Sequence, residues 1–258
     1  MEFLSPTGLL KRNALVVQEY TFLAVRSIAN LFRRPLYFAD LMQQADLIGV
    51  GSMPIVVLTG TFTGAVLALN TSSTLSQFGA LSLTGELVAV SMVRELGPVL
   101  TSLMMSGRNA SGIASELGSM TVTEQIDAMR ALGTDPYKKL VTPRVVSTIF
   151  MMFFLTIISD LVGLIGGWLI SVALLGLDTF QYWNQAYQSL KFDDVVMGLS
   201  KPFVFGFIIS TIGCYYGLST RGGTQGVGRS TTQAVVASSV LIIAVDFFLT
   251  KFLMFWLS

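Results

Sequence analysis

The chain has 258 residues, of which 52% are hydrophobic and only 12% charged, and its formal net charge is +1. An ordinary soluble domain is about 25% charged, so this composition indicates a membrane protein. Histidine is absent and Cys214 is the single cysteine, which excludes an internal disulfide and gives no set of metal ligands, and the scattered basic residues form no stripe for a nucleic acid.

The first predicted element is an amphipathic helix over residues 9–31. Apolar side chains recur along it at helical spacing. Arg12, Glu19, Arg26 and Arg33 recur every seven residues and therefore share the opposite face. This pattern favours an interfacial helix that lies along the membrane surface. A soluble helix packed on a partner is the alternative.

Five apolar stretches follow, each about as long as, or longer than, the 20 or so residues that a spanning helix needs. They cover residues 48–69, 87–105, 145–175, 195–218 and 234–256. The third is longer than one bilayer requires, which predicts tilt, a kink near Gly163, Gly166 and Gly167, or extension beyond the membrane. The sequence thus predicts an all-α integral membrane protein of one domain, residues 1–258, with an interfacial region at 1–40 and a transmembrane bundle at 41–258.

The basic residues predict the orientation of the bundle. Arg94 falls inside a span and Lys191, Lys201 and Lys251 fall on one side, whereas all the other Lys and Arg residues fall on the opposite side. Positive residues close to spanning helices are retained in the cytoplasm. The N-terminus is therefore predicted to be cytoplasmic and, after five spans, the C-terminus to be on the outside.

One charged segment, residues 116–136, separates the second and third spans in a chain that otherwise avoids charge. We interpret it as a docking site on the cytoplasmic side. A short polar helix held between two spanning helices would pass the movement of a partner directly into both of them, which a free loop would not do.

Residues 223–230 resemble the phosphate loop of nucleotide-binding proteins, but Arg229 stands in place of the lysine and a membrane span precedes the segment. A glycine turn, with Ser230 or Thr231 capping the last helix, accounts for the same residues. Nothing in the sequence stands out as a catalytic nucleophile with a base. We therefore expect a chain that is not an enzyme.

Arg94 and Glu95 interrupt the second span, where charged side chains are costly and usually face a partner or a watery cavity. Adjacent residues on a helix do not face each other. Asp160 and Asp246 are the acids available in other spans. For Arg94, a structural ion pair to one of them and a role in transport are both open, and Glu95 is expected to face the transport path.

Several motifs in order make the chain resemble the MlaE (YrbE) family, the permease subunit of an ABC transporter that moves phospholipids between the inner and outer membranes of Gram-negative bacteria. The resemblance extends from about the first span to the last. It is carried by Arg94-Glu95-Leu96-Gly97-Pro98, Gly107-Arg108, Glu116-Leu-Gly-Ser-Met, Thr123-Glu124-Gln125, Asp135-Pro136, Pro143-Arg144, Gly226-Val-Gly228, Thr231-Thr232 and Val235-Val236.

This resemblance implies a homodimer in the bacterial inner membrane, with the N-terminus cytoplasmic and the C-terminus periplasmic, that helps to maintain outer-membrane lipid asymmetry. Its partners would be a cytoplasmic ABC ATPase, a small STAS-domain protein, a periplasmic ring of MCE-domain subunits and phospholipids. ATP and Mg would be bound by the ATPase, and this chain would hold no cofactor. The amphipathic first helix would correspond to the elbow helix of the family.

The resemblance also implies two groups of site residues. The charged segment would contain a coupling helix that contacts the ATPase through Glu124, Gln125, Asp127, Met129 and Arg130. The dimer interface would enclose a lipid cavity lined by Leu67, Leu75, Glu95 and Arg94.

Three other functions are weighed against this one. An ion-coupled secondary transporter of an amphipathic substrate would explain the intramembrane charges, but the five spans show no inverted repeat. An intramembrane enzyme would need a nucleophile and a base. A scaffold would not need buried charges.

Overall fold

A computed structural model describes residues 6–31 and 37–257, and Arg33 and Arg34 of the predicted basic cluster lie outside them. The described residues contain helices and no strand. We number the helices α1 (Pro6–Leu31), α2 (Phe38–Gln77), α3 (Leu81–Val122), α4 (Gln125–Ala131), α5 (Tyr137–Ala173), α6 (Thr179–Ser189), α7 (Phe192–Leu218) and α8 (Gly223–Leu257). The all-α fold class is confirmed.

Helices α2, α3, α5, α7 and α8 are long and apolar enough to cross a membrane, which confirms the five predicted spans. Each helix also runs past its predicted span at one end or both, because polar residues are tolerated in a helix once it leaves the hydrocarbon. The 42 residues of α3 correspond to about 63 Å at 1.5 Å per residue. The hydrocarbon core is about 30 Å thick, so α3 extends well outside it.

The bundle has two ends, named here for the short helices that lie there. At the α4 end, Leu23 of α1 and Ile126 of α4 enter one apolar cluster with Leu140 of α5 and Cys214 of α7. At the α6 end, Tyr182 is buried and its hydroxyl donates to the Leu164 carbonyl. Burial raises the pKa of this tyrosine. Helix α6 was not predicted, because it is polar and shorter than a span.

The glycines of the third predicted span allow α5 to approach α2 closely. A Cβ placed on Gly64 of α2 would lie 1.8 Å from the Gly163 carbonyl oxygen, and one on Gly166 would lie 2.1 Å from the Thr61 carbonyl oxygen. The α-helix runs unbroken from Thr142 to Ala173. Close packing of two backbones is therefore the reason for these glycines, as is common between membrane helices.

The charged segment at 116–136 is not one separate helix. Its first part continues α3 as far as Val122, and the chain then turns at Glu124, whose φ of 59° is in the left-handed region. Only Gln125–Ala131 forms α4. Glu116, expected among the docking charges, pairs instead with the buried Arg144 at 2.7 Å.

The glycine turn before the last helix is present, but the predicted cap is wrong. Gly222 and Gly223 have φ values of 91° and 67°, and α8 begins at Gly223. Ser230 and Thr231 therefore lie two turns inside the helix. The Thr220 hydroxyl donates to Ser230 at 2.9 Å, so Ser230 joins α8 to the end of α7.

Helix α1 packs along the α4 end, although its buried face differs from the predicted one. Leu23 is buried as expected, but Val17 and Ile28 of the apolar face point away from the bundle. The Tyr20 hydroxyl shares a hydrogen bond with Thr211 of α7. Burial raises the pKa of Tyr20, and this hydrogen bond lowers it. The outward apolar side chains suit contact with lipid.

The α2–α5 contact generates a stability prediction. Replacing Gly64 by alanine should destabilise the protein by about 1–3 kcal/mol, because the new methyl group meets backbone that cannot move aside. Gly228→Ala is the matched control, since nothing lies within 4 Å of a Cβ there. Thermal unfolding of both variants in the same detergent is the measurement. Equal unfolding temperatures would contradict the proposed contact.

Candidate functional site

Four side chains from three spanning helices form a charge cluster inside the membrane region. Lys201 of α7 contacts Glu95 of α3 and lies 3.0 Å from Asp246 of α8. The Thr250 hydroxyl donates to Glu95 at 3.2 Å. We call these residues the charge cluster. It ties α3, α7 and α8 together at one level.

Exposure differs sharply among the members of the cluster. The Lys201 side chain is 0% exposed, whereas the Glu95 side chain is 38% exposed. A buried cation in a low-dielectric environment needs compensation, and the two carboxylates supply it. Protein thus encloses the lysine, whereas the Glu95 carboxylate remains open to the surroundings.

Lys201 corrects one element of the topology prediction, which counted its charge on the outer side although the residue falls within the predicted span 195–218. The helix begins at Phe192, with Asp193 and Asp194 in its first turn, where acidic residues are favoured by the helix dipole. Lys201 therefore lies nine residues inside α7, about 14 Å from the first residue. The early acids belong to the helix and not to a loop, so the span starts before the apolar run does.

A π-turn at Met92–Leu96 positions Arg94 and Glu95 on α3. Its cause is local: Pro98 has no N–H to donate to the carbonyl four residues back. The Gly97 N–H donates instead to Met92, five residues back. Such bulges are frequent at functional sites because they change the direction of side chains.

The ion-pair partners expected for Arg94 were wrong. Arg94 pairs with Asp194 at 3.5 Å, at the start of α7, and not with Asp160 or Asp246. Asp160 is buried, its Oδ1 has no hydrogen-bond partner among the described residues, and it lies against Gly97, where a Cβ would come within 1.6 Å of Oδ1. The pairing of Arg94 depends on where α7 begins, because Asp194 lies in its first turn. The apolar pattern of the sequence did not show this start.

The four predicted cavity residues fall into two groups. Arg94 and Glu95 face α7 and α8, as described above. Leu67 is half-buried and packs on the apolar cluster that contains Val88 and Met92 of α3 and Leu164 of α5. Leu75 lies about two turns further along α2, near the α6 end, and is also half-buried. Within one chain, the leucines and the charged pair thus contact different neighbours.

The predicted coupling residues lie on or beside α4. Glu124, Gln125, Asp127 and Arg130 are exposed, and Arg130 pairs with Asp127 at 2.8 Å. Met129 instead packs inward, against the cluster that holds Ile126.

Ile126 anchors α4, and sequence reasoning missed it. It is buried in the apolar cluster that also contains Leu23 of α1, Leu140 of α5 and Cys214 of α7, so α4 packs against a core that joins these helices. Leu132, 84% exposed at the end of α4, was also missed. The sequence did contain a sign of both residues, because each is an apolar residue within a charged stretch.

A second contact holds the chain after α4. Arg26 of α1 pairs with Asp135 at 2.9 Å, and its guanidinium lies 4.6 Å from the centre of the Tyr137 ring. The first helix is therefore connected to the chain that follows α4.

Five spans, a membrane-embedded charge cluster and a short anchored helix at one end define the class of the molecule: a multi-pass, all-helical membrane protein. The family model described as Permease MlaE matches residues 41–252. The chain belongs to the MlaE permease family.

Relatives agree with this membership. A protein of Rickettsia bellii named probable ABC transporter permease protein is 43% identical over 93% of this chain and 93% of its own length. The intermembrane phospholipid transport system permease protein MlaE of Haemophilus influenzae is 33% identical over 83% of this chain and 82% of its own. The chloroplastic protein trigalactosyldiacylglycerol 1 of Arabidopsis thaliana is 36% identical over 89% of this chain and 66% of its own.

The charge cluster predicts a strong effect of removing its cation. Lys201→Met should destabilise the protein by about 3–5 kcal/mol, because Glu95 and Asp246 would be left without compensation. Adding Glu95→Gln and Asp246→Asn to the same chain should restore much of this loss. Unfolding in detergent measures all three forms.

Lys251→Met is the control, because Lys251 is exposed on α8 and its loss should change stability by about 0.5 kcal/mol or less. A triple variant no more stable than Lys201→Met alone would show that the cluster is not an electrostatic unit.

Proposed function

We propose that this chain is the non-catalytic membrane subunit of an ABC transporter that moves phospholipids between the bacterial inner membrane and periplasmic carriers, and so maintains outer-membrane lipid asymmetry. Membership of the MlaE family and a relative named for intermembrane phospholipid transport support the substrate class. Relatives named ABC transporter permease support a subunit that relies on a separate ATPase.

One observation carries the proposal: Glu95 is a partly exposed carboxylate at membrane depth, fixed by a buried lysine and surrounded by apolar helices. A phospholipid has apolar tails and a polar headgroup, so it needs an apolar path with a few polar groups at fixed positions. Glu95 would supply a polar contact for the headgroup, and exposed apolar side chains would accommodate the tails.

The open faces of α2 and α8 support a homodimer. Only 28% of the most apolar stretch of α2 and 11% of that of α8 are buried within the chain. In the proposed dimer a second copy covers part of these faces and encloses the lipid cavity. Leu67, Leu75, Glu95 and Arg94 remain its proposed lining.

The α4 segment is the proposed contact with a cytoplasmic ATPase. Glu124, Gln125, Asp127 and Arg130 offer exposed polar groups, Leu132 offers an exposed apolar one, and Ile126 connects them to the bundle. Met129 would act as part of the anchor. ATP and Mg would bind to the ATPase. A push of the ATPase on α4 would reach α1, α5 and α7 through the packed side chains around Ile126.

The remaining partners follow from the family alone. We propose a ring of MCE-domain subunits on the periplasmic side, at the α6 end, and a STAS-domain protein bound to the ATPase. The N-terminus and α4 would be cytoplasmic and the C-terminus periplasmic, in agreement with the distribution of basic residues.

The first functional prediction is that the chain will purify in mild detergent as a dimer with an ATPase. Reconstituted vesicles should then transfer fluorescent phospholipid to an acceptor only with ATP and Mg. Transfer should persist when a protonophore collapses the ion gradient, because ATP hydrolysis supplies the energy. Transfer that follows the gradient and ignores ATP would instead identify an ion-coupled transporter.

Charge reversal should separate coupling from lipid binding. Glu124→Lys should reduce ATPase copurification and transport at least about tenfold while bound lipid stays normal, because it reverses an exposed charge on the docking segment. Asp46→Lys, on an exposed acid of α2, is the control and should leave the ATPase attached.

Glu95→Gln should have the opposite effect: the ATPase stays attached, whereas lipid counted by native mass spectrometry falls. If Glu95→Gln retained lipid and transport at the original level, Glu95 would be a structural residue only.

Topology is tested by labelling in intact cells. In a Cys214→Ser background, Gln188→Cys at the α6 end should react with an impermeant maleimide, and Thr224→Cys at the α4 end should react only after permeabilisation. Both side chains are exposed in the structure. The reverse pattern would place the α4 segment outside the cell.

A further inference from the structure

A cavity with both apolar and polar walls lies between α2 and α3 near the α4 end. It has a volume of about 350 Å³, and its polar walls include Gln44 and Ser52 of α2 and Arg108 and Asn109 of α3. Arg108 follows Glu95 by thirteen residues, about 20 Å along the helix. The space is therefore separate from the charge cluster.

Arg108 dominates the charge of this cavity. It lies in a second π-turn of α3, Ser106–Ala110. Its guanidinium rests against α2, where a Cβ on Gly51 would come within 2.8 Å of Nη2. Among the described residues, the Arg108 guanidinium has no ion pair and no hydrogen bond, and the Ser111 hydroxyl donates only to the Arg108 and Gly107 carbonyls. Its donors are thus available to a ligand.

Nearby acids do not compensate this charge, because each has its own base. Glu116 lines the same cavity and pairs with the buried Arg144 at 2.7 Å. Asp40 lines a smaller adjacent space and pairs with Lys139 at 2.5 Å. The guanidinium of Arg108 is therefore an uncompensated positive charge in the cavity, which favours the binding of an anion there.

One neutral donor in the cavity, the Ser52 hydroxyl, also lacks an acceptor. Ser52 is fully buried and its hydroxyl has no partner among the described residues, whereas Ser102 donates to the carbonyl four residues back. Such groups in native proteins usually have a partner, which can be a ligand. Asn109 is already satisfied as a donor, since it donates to Thr148 at 3.0 Å. Arg108 and Ser52 are the groups that an anion would satisfy.

The apolar wall and the depth of the cavity specify the kind of anion. Leu47 and Ile48 line it, and Leu47 is exposed on the outer face of α2. Arg108 follows Leu81 by 27 residues, about 40 Å along α3, which exceeds the roughly 30 Å of hydrocarbon. Arg108 would thus lie at the level of the headgroups of one leaflet, with apolar surface beside it.

We propose that this cavity binds the phosphate of a membrane phospholipid, with the Arg108 guanidinium as the principal donor and the acyl chains lying along Leu47 and Ile48. Guanidinium and phosphate groups match in charge and geometry. The proposal does not depend on transport, since it describes a lipid site about 20 Å along α3 from the charge cluster.

The test uses the full-length chain with its copurifying subunits, delipidated in a neutral detergent. Binding of phosphatidylglycerol is titrated by native mass spectrometry, without ATP. Arg108→Gln should weaken the affinity of one site about tenfold, as expected for the loss of a charge-assisted hydrogen bond. Arg229→Gln removes the same charge from an exposed position on α8 at the α4 end and should bind like the parent chain.

A second variant guards against misfolding of the first. Gly51→Ala keeps the charge but pushes the guanidinium from its position, since only the flexible end of Arg108 is in the way. It should also weaken binding while the unfolding temperature is unchanged. Normal affinity in both variants would overturn the proposal.

Three further ligands identify the chemical group. Diacylglycerol with the same chains lacks phosphate and should not occupy the site. Inorganic phosphate and glycerol phosphate lack tails and should not displace the lipid at equal concentration. Equal binding of diacylglycerol, or displacement by free phosphate, would each refute a phospholipid site. Neither result depends on transport, so this proposal and the proposed function can fail separately.

Discussion

The burial of Lys201 within the membrane bundle is the constraint on which much of this structure depends. An ammonium group without exposure is tolerable only beside carboxylates, and those of Glu95 and Asp246 come from two other helices. Helices α3, α7 and α8 must therefore keep one register relative to one another. The π-turn at Met92–Leu96 contributes to this register, because it positions Glu95 on α3.

Close backbone contact provides the second constraint, between α2 and α5. Gly64 and Gly166 allow each helix to touch the other's backbone, which leaves no room for a side chain. The hydrophobic effect contributes little to helix association in lipid, so close packing and internal polar contacts take its place. The bundle is therefore held by glycine contacts on one side and by ionic contacts on the other.

These two constraints leave distinct surfaces for function. The α4 segment is held in the bundle through Ile126 while its polar side chains stay exposed, as the proposed contact with an ATPase requires. The faces of α2 and α8 remain apolar and open, which suits lipid and a second copy. Arg108 keeps an unpaired charge near one end. A permease that handles an amphipathic substrate needs this separation of polar groups from apolar surface.

The sequence by itself determined the class, the five spans and the charged segment, because hydropathy and charge act locally and the membrane restricts the choice to helices. It also determined the family, through motifs such as Arg94-Glu95-Leu96-Gly97-Pro98. Only the tertiary structure decided that Arg94 pairs with Asp194, that Lys201 is buried, and that Ile126 anchors α4. Those facts depend on where each helix begins, on π-turns that rotate side chains, and on which helices meet, and a pattern along one helix contains none of this information.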